Sequence, residues 1–241
     1  MLITSVNNIK IKDIIKLKSK KYRDNNKQFF VEGVDLVKEA YKCGLLQCLY
    51  ILDGKPVLYD DIPYNYVSSD VMKKISEMES ISDYFGICKM KNEKTIGNKI
   101  IALDEVQDPG NLGTIIRSAV AFKFDTIVLG KGCVDLYNPK VVRSSKGMLF
   151  NVNIISRDLD TFLRKLDGYK IYGTDVTSGT SIRDEIIPEK VAIVLGNEGQ
   201  GISENVRKLC DKFLYIEMNS ECESLNVGVC ASILMYEVMK K

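Results

Sequence analysis

From residue 100 onward the chain alternates short apolar runs with helical patterns, and this alternation restricts the fold more than any other feature. The runs are IIALD (100–104), TIVLG (126–130), YKIYGT (169–174), VAIVLG (191–196) and FLYIE (213–217). Helical periodicity falls at 112–123, 159–166, 203–210 and 225–239. Strands that are apolar throughout must be covered on both faces, which implies a parallel sheet between layers of helix. Ligands of such sheets bind beyond the carboxyl ends of the strands.

The first 90 residues read as a separate, smaller α/β module. An apolar stripe predicts a helix over 9–21, QFFVEG and LQCLYIL read as strands, and YFGICKM as a third. VDLVKEAYKCG is a helix that stops at Gly44, and SSDVMKKISEM is another, with Ser69 or Asp70 as its cap. The polar stretch 91–99 reads as the linker, so the expected domains are 1–94 and 95–241.

Composition excludes several kinds of chemistry. The chain of 241 residues contains no histidine, so no Ser-His or Cys-His nucleophile pair and no histidine-ligated metal can operate, and no metal is expected. Seven scattered cysteines without a C-x-x-C pair read as reduced thiols. No apolar stretch reaches the roughly 18–20 residues of a membrane span, and the N-terminus lacks the core of a signal peptide, so the expected location is the cytoplasm. Net charge is only +2, yet residues 1–28 hold eight Lys/Arg against two Asp. A basic stretch on a near-neutral body is either a solvated helix face or a contact for a polyanion.

Three segments around the strand ends carry the remaining signal. In LDEVQDPGNLGTIIRSAVAF, Pro109-Gly110 reads as a turn, followed by Asn111 and a helix bearing Arg117. LGNEGQGIS (195–203) has three glycines and Glu198, but neither G-x-G-x-x-G nor a P-loop lysine, so it does not read as a phosphate loop. In IEMNSECESLNVGVC, Ser224 or Asn226 could cap the last helix. Each segment alone also reads as an ordinary capped helix or turn.

Together, Asn-x-Gly-x-x-x-Arg, Leu-Gly-Asn-Glu-Gly-x-Gly and Ser-Leu-Asn-Val, in this order, resemble the SpoU (TrmH-like) branch of the SPOUT RNA methyltransferases. KQFFVEGVDLVKEA is similar to the ribosomal-protein-like substrate-binding module that often precedes that domain. The resemblance implies a parallel-sheet SPOUT methyltransferase domain with a C-terminal trefoil knot, preceded by a small RNA-binding α/β domain. It implies S-adenosylmethionine as methyl donor, a ribose 2′-hydroxyl of rRNA or tRNA as acceptor, and a homodimer. It assigns cofactor contacts to Thr174, Leu195, Gly196, Gly201, Ile216, Met218 and Leu225. Catalytic positions are Asn111, Arg117, Glu198, Ser224 and Asn226, and the similar stretch NPKVVRSSKG offers Arg143 and Lys146 for RNA. Structured rRNA is favoured over tRNA. Two other readings are a nucleotide-dependent oxidoreductase, which the missing fingerprint glycines oppose, and a catalytically inactive RNA-binding protein of the same fold, which the complete motif set opposes.

Overall fold

The computed structural model describes residues 2–78, 80–176 and 178–240. In chain order the elements begin with β1 (Leu2–Ile3), α1 (Ile9–Lys16), α2 (Lys20–Asn26), β2 (Gln28–Glu32), α3 (Val34–Lys42) and β3 (Leu46–Leu52). Next come β4 (Tyr64–Val67), α4 (Ser69–Ile75), β5 (Tyr84–Lys89), β6 (Lys99–Leu103), α5 (Pro109–Ala121), β7 (Thr126–Leu129) and α6 (Pro139–Ser144). The chain ends with β8 (Asn153–Ser156), α7 (Leu159–Leu163), β9 (Lys170–Thr174), β10 (Thr180–Ser181), β11 (Val191–Leu195), α8 (Glu204–Arg207), β12 (Lys212–Tyr215) and α9 (Val227–Lys240).

Two compact units divide these elements. One comprises Met1–Asn92 with Asp135–Phe150, the other Glu93–Val134 with Asn151–Lys241. The segment 135–150 leaves the larger unit's sequence and packs in the smaller one. There Phe29 meets the rings of Tyr137 and Phe150 at centroid distances of 4.6 and 6.0 Å.

The smaller unit is a mixed sheet in the order β1-β4-β3-β5-β2, with β5 antiparallel to both of its neighbours. The expected helix over 9–21 is two helices. α1 ends at Lys16, Leu17 is its C-cap, and Ser19 precedes α2. Both helices are part of the fold: Ile11, Ile14 and Leu17 of α1 belong to one buried cluster with Phe30, Tyr50, Phe85 and Ile87, and Tyr22 of α2 packs against it. Ser68, rather than Ser69 or Asp70, caps α4 by accepting from the Val71 N–H. β1 and β4 had no strand signal: β1 is two residues long, and Tyr64–Val67 carries polar residues.

Arg23 holds this unit together from inside. Its side chain is 4% exposed and bonds Asp135 Oδ2 at 2.5 Å, while Nη1 donates to the carbonyls of Leu17 and Lys18 at 2.8 Å each. One guanidinium thus closes the α1 terminus and ties the segment 135–150 to α2.

The larger unit is the parallel sheet that the apolar runs imply. Its order is β10-β12-β9-β11-β6-β7-β8, and every pair is parallel. All residues of β7 and β11 are buried, as expected of strands covered on both faces. Pro109-Gly110 is not a separate turn. Pro109 opens α5, and Asp108 caps it by accepting from Asn111 N–H at 2.8 Å, because proline's fixed φ and missing N–H suit the first helical position. β8 went unpredicted because its four residues include only two apolar ones, and β10 because it has two residues. Among the described residues, no helix is long and apolar enough to cross a membrane.

Replacing Arg23 by Met should destabilise the smaller unit by about 3 kcal/mol, since Asp135 and two carbonyls would lose their shared donor. The check is chemical denaturation followed by tyrosine fluorescence. An unchanged midpoint would mean that the pair adds nothing to the unit.

Candidate functional site

The loops that leave β6, β11 and β12 converge at the carboxyl edge of the parallel sheet, each ending in a helix. Asn111 lies in the first turn of α5 after β6, Glu198 in the loop after β11, and Asn226 immediately before α9. Their side chains form one hydrogen-bonded chain. The N–H groups of Gly228 and Val229 donate to Asn226 Oδ1 at 2.9 and 3.3 Å, which makes Asn226 the cap of α9. Asn226 Nδ2 donates to Asn111 Oδ1 at 2.8 Å, and Asn111 Nδ2 donates to Glu198 Oε1 at 2.8 Å. A backbone donor at one end and a carboxylate at the other fix the orientation of both amides. Ser224 does not share the capping role.

The loop after β11 is folded on itself. Asn197 and Gly201 exchange both backbone hydrogen bonds, and Asn197 Oδ1 accepts from Gly199 N and Gln200 N at 2.9 and 3.1 Å. The buried carboxylate of Asp104 accepts from Ser203 N at 2.8 Å. Gly196 has no room for a side chain, because a Cβ there would lie 2.1 Å from the Gly201 carbonyl carbon. Gly201 turns the loop at φ +71°, which glycine adopts without a Cβ penalty.

This edge encloses a cavity of about 540 Å³. Thr174, Leu195, Gly196, Gly201, Ile216, Met218 and Leu225 all line it, as do Glu198, Ser224 and Asn226. Asn111 stands behind Glu198 and Asn226. Arg117 lies six residues along α5, exposed, with no bonded partner among the described residues, and it is not part of the cavity wall. In the smaller unit, Arg143 is half-buried on α6, and its Nη1 is buried without a hydrogen-bond partner. Lys146 is exposed with φ +51°.

The cavity has polar residues that sequence reasoning missed. Asp175 and Arg207 line it and bond each other at 2.6 Å, and the guanidinium of Arg207 lies 4.2 Å from the Phe213 ring centroid. Asp175 follows β9 directly, so the rule of strand carboxyl ends would have found it; nothing in the sequence marks Arg207. Cys230 is also in the wall, and burial pushes its thiol up to about 11. Among the described residues no group of three His, Cys, Asp or Glu could hold a metal ion.

The architecture is that of an α/β ligand-binding protein with its cavity at the strand ends of a parallel sheet. Comparison with known proteins gives the family: residues 98–236 match the model of the SpoU rRNA Methylase family, and residues 8–83 match the MRM3-like substrate binding domain. Over 243 aligned positions the chain is 36% identical to the 23S rRNA (guanosine(2553)-2′-O)-methyltransferase RlmP of Bacillus subtilis strain 168, covering 98% of each chain. It is also similar to a crystal structure of an RNA 2′-O ribose methyltransferase, with TM-score 0.85, 27% identity, and coverage of 100% of this chain and 98% of that one. An AdoMet-bound rRNA methyltransferase from Sinorhizobium meliloti matches with TM-score 0.87 and 26% identity, covering 100% and 97%. The chain belongs to the SpoU rRNA methylase family.

The thiols offer a test of the cavity wall. Cys222 is exposed, whereas burial keeps Cys230 protonated near neutral pH. Iodoacetamide at about pH 7 should alkylate Cys222 well before Cys230 in peptide mapping. The opposite order would contradict a closed wall at Cys230.

Proposed function

We propose that this chain is an S-adenosylmethionine-dependent methyltransferase acting on a ribose 2′-hydroxyl of 23S-type ribosomal RNA. The observation that carries the reading is the bonded chain Asn226–Asn111–Glu198 at the rim of a cavity walled by the family's motif residues. The full-length similarity to the B. subtilis enzyme makes a guanosine of large-subunit rRNA the first acceptor to test.

The cavity fits the cofactor. Gly196 lets backbone approach backbone with no side chain between, leaving peptide groups to meet an adenine edge. Leu195, Ile216, Met218 and Leu225 supply apolar surface for the ring, with Thr174 and Gly201 beside them. The carboxylate of Glu198 suits a cationic ligand and would repel a phosphate, whereas the charge of Asp175 is offset by Arg207 in the same wall. When bound, the cofactor supplies a sulfonium methyl, an electrophile with a good leaving group.

The protein's task is then positioning and charge. Asn111 and Asn226 hold Glu198 in one place, and Ser224 lies beside them on the wall. A guanidinium only donates, so Arg117 is not a base; it grips the phosphate next to the target ribose and stabilises charge as the 2′-oxygen loses its proton. Arg143 and Lys146 add contacts to RNA phosphates. Residues 1–94 form the RNA-binding domain and 95–241 the methyltransferase domain, with 135–150 of the latter packed in the smaller unit.

Two assembly features belong to the same reading. β9 lies between β12 and β11, and the segments after β11 and β12 wrap one cavity before α9 begins, which supports a trefoil knot. Val229, Tyr236 and Met239 expose 44%, 41% and 37% of their surface along α9, an apolar stripe that supports a homodimer. A ribosomal RNA substrate supports the expected cytoplasmic location.

Arg117→Ala should lower kcat for methyl transfer to large-subunit rRNA by about 10²-fold or more, with S-adenosylhomocysteine affinity within about twofold of the parent. Normal turnover would remove Arg117 from the mechanism. Gly196→Ala should abolish S-adenosylhomocysteine binding in calorimetry, because its Cβ would overlap the backbone at 201–202. Retained affinity would place the cofactor elsewhere.

A further inference from the structure

A second cavity, of about 480 Å³, lies in the smaller unit between α1–α2 and the sheet. Its floor is apolar and partly aromatic, formed by Ile14, Leu17, Tyr50 and Ile87 of the buried cluster. Its rim is made of amides. Gln28 Nε2 donates to Gln47 Oε1 at 2.7 Å across the sheet, which leaves Gln28 Oε1 as an acceptor and Gln47 Nε2 as a donor, side by side. Asn26 adds a third amide.

Of the basic residues before position 29, Lys10 alone lines the cavity. Among the described residues, Lys10, Lys12, Lys20, Lys21 and Lys27 have no carboxylate partner, and Lys10 lines the cavity with its ammonium on the neutral Asn65 Oδ1 at 3.2 Å. Lys16 and Lys18 are paired with Asp13 and Glu77, and Arg23 is buried. Asp13 is the one carboxylate in the lining, and it is occupied by Lys16 at 2.9 Å and the Tyr22 hydroxyl at 3.3 Å.

An apolar floor, an adjacent donor and acceptor, and Lys10 without a carboxylate partner on the lining match one chemical class: a single unstacked nucleobase with a flanking phosphate on Lys10. Proteins that read RNA sequence do so on splayed-out bases, by stacking and by bonds to their edges. We propose that this cavity receives one everted base of the RNA substrate, with the Gln28–Gln47 couple bonding its edge. The inference rests on the RNA reading above and deepens it. The base it takes is a docking base, held in a cavity of the RNA-binding unit.

The test uses the full chain and transcripts of large-subunit rRNA fragments. Gln28→Ala/Gln47→Ala should weaken RNA binding about tenfold, raising KM for RNA with kcat and S-adenosylhomocysteine affinity unchanged. The slope of log affinity against log salt should stay as in the parent, because Lys10 remains, whereas Lys10→Gln should flatten it. Scanning single abasic nucleotides through the bound fragment should find one position that costs the parent about tenfold and costs the Gln28→Ala/Gln47→Ala variant nothing. Parental affinity in the Gln28→Ala/Gln47→Ala variant, or an abasic penalty that is the same in both proteins, would overturn the inference. If the parent itself binds no rRNA fragment and transfers no methyl, the RNA reading fails instead.

Discussion

Three loops far apart in sequence are held in register by two side-chain amides. Asn111 is 87 residues from Glu198 and 115 from Asn226, yet it bonds both at 2.8 Å. The direction of the chain is fixed at its ends, by the N–H groups of α9 and by the Glu198 carboxylate, so neither amide can flip without losing two bonds. Hydrogen bonds aligned head to tail polarise one another, which stiffens the group beyond what three separate bonds would give. Asp108 takes over the capping of α5 and so leaves the Asn111 side chain for this role. The cavity, the folded loop after β11 and the position of Arg117 along α5 all follow from that arrangement.

The strands were legible because burial on both faces leaves a continuous apolar run, and β6, β7, β9, β11 and β12 all lie within a residue or two of those runs. The weak points are short or sit at edges. β8 ends its sheet, β10 spans two residues, and β1 and β4 lie at the margin of theirs, so none needs a long apolar stretch. Pro109-Gly110 was misread because a proline–glycine pair serves both a turn and a helix start, and only Asp108 before it, acting as a cap, decides between them. The break in the first helix has a similar origin: Leu17 keeps the apolar spacing while Ser19 restarts the helix.

The site was legible only in part from the residues themselves. Periodicity gives loops at strand ends, but no local pattern pairs Asn111 with Glu198 or brings Asp175 to Arg207; those contacts exist only in three dimensions. The family's motif order singled out Asn111, Glu198 and Asn226 without pairing them, and singled out neither Asp175 nor Arg207. Charge was legible as a sum and misleading in detail. Of eight basic residues before position 29, three are used up by Asp13, Glu77 and Asp135, and five lysines are left without a carboxylate partner among the described residues.

In the proposed function, methyl donor and acceptor meet at one strand-end cavity, with ribosomal RNA as acceptor. The most direct measurement is transfer of labelled methyl from S-adenosylmethionine to large-subunit rRNA lacking this modification, followed by digestion and nucleoside analysis. The account predicts label in a single 2′-O-methylated nucleoside, guanosine first among the four. Label on a base, or no incorporation by a protein that binds S-adenosylhomocysteine and rRNA, would contradict it.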